Sequence, residues 1–412
     1  MNCLSIKDTV NYVFKSFDWS LIIANKIKVG ILASSFANRY GSGTAKHFEA
    51  VTKLLCKDYG STVELTLFCN NNDQYSYLEN NPVYSNANII VFPNVRGKWL
   101  RSSRQFFKYA LSLKPYKVDI LHFSVPRFYP FFWLFPATKF VCTFHAGGDI
   151  TAHKEKFIFS REIYNLTAKI FYRKLDLVIA VSEHGKNEIS QVYGIPKSLI
   201  SVMHPGTDDI WKIATVTEKL HNIAGRKLIV VIGRWQEYKN VQVVANALVN
   251  ASSSELGNYY FVFVGKKISA NAKLIESDLS KLDKKLYETI DYLDEQAYAQ
   301  IISEADLVVV PSLNEGFSHP VFDAFSLGTR VMMHKPSPAA EILNGRKGVF
   351  ASDLSSSDQL IAKIISAIEE QGGNKVDNQE FLKSIEATWS DITKNYVRNY
   401  RLLIEKNNRK LS

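Results

Sequence analysis

Two acids, Glu315 and Asp323, stand with seven residues between them in the stretch PSLNEGFSHPVFDAFSLGTRV, Pro311 to Val331. The apolar run 306–310 before it reads as a buried strand, which Pro311 stops. Glu315-Gly316-Phe317-Ser318 then leads into a helix start. Glu315 is expected in the loop and Asp323 about two turns into the helix. Backbone N–H donors and two carboxylates would then surround one crevice. Carboxylates accept hydrogen bonds from hydroxyls, and a helix N-terminus holds phosphate, so the crevice suits a phosphate flanked by two sugars.

Cations belong beside such a phosphate. Gly233-Arg234-Trp235-Gln236-Glu237-Tyr238-Lys239-Asn240 follows directly on the apolar run 227–232. Open α/β sheets bind ligands at the carboxyl ends of their strands. Two cations there suit a pyrophosphate, Arg234 through its planar fork and Lys239 as a point charge. A solvated surface turn is the alternative, and the acid segment counts against it. In the first half, Thr143-Phe144-His145 ends another strand, and Gly147 and Gly148 follow. That position turns His145 toward the same cleft. Gly41-Ser42-Gly43 follows the first strand but falls short of the GxGxxG fingerprint. It reads either as a flexible loop or as backbone that approaches a charged ligand. His122 lacks a glycine loop and reads as core. Ser182 reads as a helix cap. Thr207-Asp208-Asp209 reads as a turn rather than a metal-binding acid pair. No G-x-S-x-G elbow supports hydrolase chemistry.

These loops need strands to carry them. Apolar runs at 26–33, 63–68, 89–92, 119–123, 139–143, 177–181 and 199–203 are spaced like parallel strands, with helical stretches at 45–59, 102–113 and 161–175. A second series follows at 227–232, 260–264, 288–292, 307–310, 330–333 and 348–350, with helices at 241–250, 295–304 and 357–371. The pattern predicts an α/β chain of two doubly wound units. The first spans 1–205 and the second 206–389, with helix 390–412 returning to the first. Segment 5–23 is loosely amphipathic and is expected to pack as a helix on the first domain.

The chain has 412 residues, too many for one ordinary core, which agrees with two domains. A hydrophobic fraction of 46% with 22% charged residues excludes a disordered chain. Cys3, Cys56, Cys69 and Cys142 lack metal-ligand spacing and read as reduced thiols of a cytosolic protein. The N-terminus shows no secretory pattern, and no apolar run reaches the ~20 residues that span a bilayer. A net charge of +10 reflects dispersed surface lysine or attraction to an anionic partner such as a nucleotide diphosphate or an anionic membrane. No nucleic-acid motif accompanies it.

In their order along the chain, VSEHGKNEI, VMHPGTDD, GRWQEYKN, the 295–311 lead-in and EGFSHPVFDAFSLGTRV resemble the motifs of retaining glycosyltransferases of family 4, with the GT-B fold. The resemblance runs from the Gly41 loop to the Trp389 segment and is more specific in the second half. It implies two facing Rossmann-like domains with a deep cleft between them. The first would bind the acceptor and the second the nucleotide-sugar donor. By resemblance, Arg234 and Lys239 hold the donor pyrophosphate, and Gly316, Phe317 and Ser318 offer N–H groups to phosphate. Glu315 contacts sugar hydroxyls. Asp323 takes the place of the second acid of the E-x7-E pattern, which grips the ribose. His145 matches the histidine near the reacting carbon and, with Glu315, forms the expected catalytic set. Tyr292 and Leu293 border the base. Gly41, Gly43 and Gly265 complete the donor-binding set. Two departures stand out: Asp323 is one methylene shorter than the usual Glu, and Ser318-His319 replaces Gly and an apolar residue.

The activity implied is transfer of a hexose from a nucleotide diphosphate to a hydroxyl, with retention. UDP-glucose is the favoured donor. A glycan or lipid-linked molecule of polysaccharide biosynthesis is the expected acceptor. Neither a metal nor a resident cofactor is expected. A GT-B-fold sugar-nucleotide 2-epimerase and a non-catalytic nucleotide-sugar-binding subunit remain as alternatives. A dinucleotide oxidoreductase is disfavoured by the missing fingerprint. The expected location is cytoplasmic, with peripheral contact at the inner face of an anionic membrane through the aromatic patch 128–133 and no nucleic-acid partner.

Overall fold

Runs of β-branched and aromatic residues build two parallel sheets in this computed structural model. The first contains β1 (Ile27–Leu32), β2 (Val63–Cys69), β3 (Asn88–Val91), β4 (Val118–Phe123), β5 (Ala137–Phe144), β6 (Leu177–Ala180) and β7 (Ile200–Val202), in the order β3-β2-β1-β4-β5-β6-β7. The second contains β8 (Lys227–Ile232), β9 (Tyr259–Val264), β10 (Tyr287–Ile290), β11 (Leu307–Val310), β12 (Val331–His334) and β13 (Val349–Ser352), in the order β10-β9-β8-β11-β12-β13. The structure describes residues 26–32, 36, 43–69, 72–91, 116–124, 132–145, 170–207, 210, 223 and 225–411. The expected helices at 5–23 and 102–113, most of the 161–175 helix, Gly41, Gly147, Gly148 and the aromatics at 128–131 lie outside these residues.

Each sheet is buried on both faces, which explains the unbroken apolar strands. In β8, Leu228, Val230 and Ile232 pack with Val262 and Val308 on one face. Ile229 and Val231 pack with Phe261, Phe263 and Val309 on the other. Helices cover these faces: α1 (Gly43–Asp58), α2 (Glu183–Tyr193), α3 (Val241–Asn250), α4 (Glu295–Glu304), α5 (His319–Ser326) and α6 (Trp389–Leu411) are the ones that bear on the site. Ser182 caps α2 by accepting from Gly185 N at 2.9 Å. Asp294 caps α4 by accepting from Ala297 N at 2.8 Å.

The helix α6 follows the second sheet in sequence but packs on the first. Trp389, Ile392, Tyr396, Val397 and Tyr400 join Val29, Ile31, Phe48, Val51 and Ile120 in one core. The two crossings between the domains touch. Thr207 N donates to Ala387 O at 2.7 Å, and Thr207 Oγ1 donates to the same oxygen at 3.0 Å. A Cβ on the neighbouring Gly206 would lie 2.4 Å from Trp389 N, so only glycine lets the crossings come this close.

Candidate active site

Strand order fixes where the site lies. The order reverses between β1 and β4 in the first sheet and between β8 and β11 in the second. Crevices for ligands open at such reversals, outside the carboxyl ends of the strands. The loops after β8 and β11 therefore meet, and Leu313 N donates to Tyr238 O at 3.0 Å. Their side chains meet too. Lys239 Nζ donates to Glu315 Oε1 at 2.6 Å, and both are largely buried, at 17% and 13% exposure. Arg234 follows β8 directly and is half-buried. Gly265 directly follows β9 with a φ of 157°, and a Cβ there would lie 1.9 Å from Gly233 O. Its glycine is needed for backbone packing beneath Arg234.

Ser318 immediately precedes α5 and has φ 76° and ψ 63°, the left-handed region that favours glycine. Its side chain caps nothing, and its Oγ is buried without a hydrogen-bond partner among the described residues. Phe317 stacks on Phe322 at 4.2 Å in the core, so only its backbone can serve a phosphate. Asp323 lies one turn into α5 rather than two, because the helix starts at His319. It is buried, and Tyr298 on α4 donates from its hydroxyl to Asp323 Oδ2 at 3.1 Å. Lys46 Nζ, from α1 of the first domain, stands 3.9 Å from the same oxygen. Tyr292 is exposed and Leu293 packs on the core behind it.

His145 directly follows β5, within a cluster of first-domain histidines. Its ring meets His47 edge-on, with centroids 4.8 Å apart. His47 Nε2 and Tyr396 OH form a hydrogen bond of 2.9 Å, and His122 bonds Tyr400 OH through Nδ1 at 2.6 Å and Thr143 Oγ1 through Nε2 at 2.7 Å. Burial pushes His122 and His145 down to about 3, and burial followed by the neighbouring histidines pushes His47 well below its usual value. His145 keeps some exposure as a residue, but its Nε2 has none and no hydrogen-bond partner among the described residues. It therefore presents a neutral imidazole at ordinary pH.

The two sides come together around α5. The Cβ position of Gly43 lies 3.7 Å from His319 Cδ2, and His319 stacks on Trp389 at 5.9 Å. Asn314 Nδ2 donates to Glu188 Oε1 at 3.4 Å across the cleft. The structure pairs Lys239 with Glu315 and places His145 among histidines of the facing domain. Sequence reasoning passed over Lys46, His47 and Tyr298, and it marked His319 only as a departure from the family pattern and Tyr396 only as part of a helical stripe. Lys46 carried one signal, a cation in the first turn after the glycine loop; the others gain meaning only through distant partners.

Two family models match in succession, Glycosyltransferase Family 4 over residues 42–210 and Glycosyl transferases group 1 over residues 214–381. This chain belongs to the family 4 glycosyltransferases. The glycosyltransferase shares its GT-B fold with solved structures along nearly its whole length. A glycosyltransferase from Rickettsia africae ESF-5 is 15% identical, with 92% of this chain and 99% of that one covered and a TM-score of 0.67. Sucrose-phosphate synthase from Thermosynechococcus elongatus is 14% identical, with 93% and 100% covered and a TM-score of 0.73. HepE from Anabaena, in complex with UDP and glucose, is 16% identical, with 93% and 99% covered and a TM-score of 0.63. A search of curated proteins finds no match.

Proposed function

We propose that this glycosyltransferase moves a hexose, glucose from UDP-glucose first, to a hydroxyl of a glycan or lipid-linked acceptor in polysaccharide biosynthesis, with retention. The observation that carries the reading is the contact of Lys239 with Glu315 at 2.6 Å at the switch point of the second sheet. It sets a diphosphate-binding cation beside an acid suited to sugar hydroxyls. A uridine donor draws support from HepE, a protein of the same fold bound to UDP-glucose.

In this scheme the bond from the anomeric carbon to the leaving phosphate oxygen breaks. A bond to the acceptor oxygen forms on the same face, and the acceptor proton passes to the leaving phosphate. Negative charge grows on the diphosphate, where Arg234, Lys239 and the N–H groups of Gly316, Phe317 and Ser318 meet it. Lys239 turns from Glu315 to the phosphate and leaves Glu315 to accept from the sugar. Asp323 takes the ribose hydroxyls. A neutral His145 adds no positive charge beside a carbon that is itself becoming cationic. Tyr292 and Leu293 border the base, and Gly43 approaches the donor from the facing domain.

The test is turnover of UDP-glucose. Replacing Arg234 or Lys239 with Ala should cost about 10²–10³-fold in kcat, and adding a chelator should leave the wild-type rate unchanged. Near-normal turnover in either variant sinks the assignment. The scheme is metal-free and places the enzyme in the cytoplasm, at the inner face of an anionic membrane. The net charge of +10 supports that contact. Failure to bind anionic vesicles at low salt removes it. Among the described residues no helix is long and apolar enough to cross a membrane.

A further inference from the structure

Lys46 stands in the first turn of α1, where the helix dipole opposes a cation. No acid shares that turn with it. It pairs with an acid of the other domain. Lys46 Nζ is 3.9 Å from Asp323 Oδ2, with side-chain exposures of 20% and 3%. The starts of α1 and α5 face each other, since Gly43 abuts His319. Lys46 is three residues beyond Gly43 and Asp323 is four beyond His319, so each lies about one turn into its helix. The two side chains meet there.

We propose that Lys46 is a positioning residue for nucleotide binding: from the facing domain it holds Asp323, so that the ribose acid is set only when the domains are together. The inference rests on the reading of Asp323 as the ribose-binding acid. A carboxylate buried to this degree is costly unless charge and hydrogen bonds compensate it. Tyr298, from the same domain, donates one hydrogen bond to Oδ2 but supplies no charge. Lys46 adds positive charge, and the two groups converge on the same oxygen and orient the carboxylate. The shorter reach of Asp compared with Glu makes that orientation matter more. Domain separation removes Lys46 and leaves Asp323 with less compensation, so nucleotide affinity becomes linked to closure.

The experiment is calorimetric titration of UDP into wild type, K46M, K46R, D323N and K46M/D323N, with steady-state kinetics beside it. Met keeps the aliphatic stem of Lys46 and removes only the charge. K46M should weaken UDP binding about tenfold and raise the donor KM in step, with kcat held within about threefold. K46R should recover most of the affinity. In the D323N background, K46M should add little further loss. Equal UDP affinity in K46M and wild type overturns the inference. So does a full additional loss in the double variant, which would mean Lys46 acts elsewhere. If wild type binds neither UDP, GDP nor ADP, the donor reading has failed and the inference falls with it.

Discussion

Ser318 is costly where it stands. A non-glycine residue in the left-handed region gives up about 1–2 kcal/mol, and a buried hydroxyl without a partner adds to that cost. Such strain gathers at ligand-binding sites, where the bound group rather than the protein satisfies the residue. The sequence shows a Ser where a Gly is usual, but not the φ of 76° that makes the exchange expensive. Glycine at this position relieves the strain and loses roughly 0.5–1 kcal/mol through its freer unfolded chain. Ser318→Gly should therefore raise stability by up to about 1.5 kcal/mol in urea denaturation. Ser318→Ala keeps the strain and removes only the hydroxyl. If that hydroxyl meets the donor phosphate, both variants should show a smaller thermal shift with UDP than wild type. A destabilised Ser318→Gly would show that the backbone is not strained, and unchanged UDP shifts would remove the phosphate contact.

At the scale of elements, the strands and several helices are legible because their signals are local. KLIVVI reads as a strand buried on both faces and forms β8, and the helices expected at 241–250 and 295–304 are α3 and α4 with those bounds. The placement of Glu315 beside Lys239 is half legible. Each loop follows a recognisable strand, but their adjacency comes from the order β8-β11, which is a property of the sheet. The 390–412 helix also shows its periodicity, with Tyr396 and Tyr400 on one side. What it bonds is invisible in sequence, since Tyr396 and His47 are separated by 349 residues. Desolvation makes those bonds matter. Tyr396 OH joins His47 Nε2 at 2.9 Å and Thr143 Oγ1 at 3.2 Å, while His47 Nδ1 has no hydrogen-bond partner among the described residues. Tyr396→Phe keeps the ring and takes from the buried His47 imidazole its Nε2 partner, and from Thr143 Oγ1 the bond to the Tyr396 hydroxyl. It should cost about 1–3 kcal/mol by urea denaturation. An unchanged midpoint would mean that the Tyr396 hydroxyl adds nothing to the hold of α6, which the apolar face and the bond of Tyr400 to His122 would then supply.

The whole molecule is tied by the return of α6, which makes the histidine cluster a joint between the end of the chain and the first sheet. Its pH response follows from burial. His47, His122 and His145 start from an ordinary value of 6.5, and in the folded protein His122 and His145 sit at about 3 and His47 well below 6.5. The unfolded chain therefore binds protons below 6.5 that the folded chain refuses. Stability from this source is complete above 6.5 and is lost as pH falls toward 3, with a slope that approaches about 1.4 kcal/mol per pH unit for each histidine. His204 and His334, also shifted down by burial, add to this fall, whereas His184 is shifted up by its hydrogen bond to Glu188 and opposes it as a single group. Urea midpoints should thus fall between pH 7 and pH 5, with calorimetry recording proton uptake on unfolding. The same shifts separate catalysis from folding. His145 stays neutral throughout that window, so turnover per folded molecule should show no acid limb from its protonation. A midpoint that holds steady from pH 7 to pH 5 would mean that the three imidazoles are already charged or solvated in the folded state, and the neutral His145 of the proposed mechanism would fall with them.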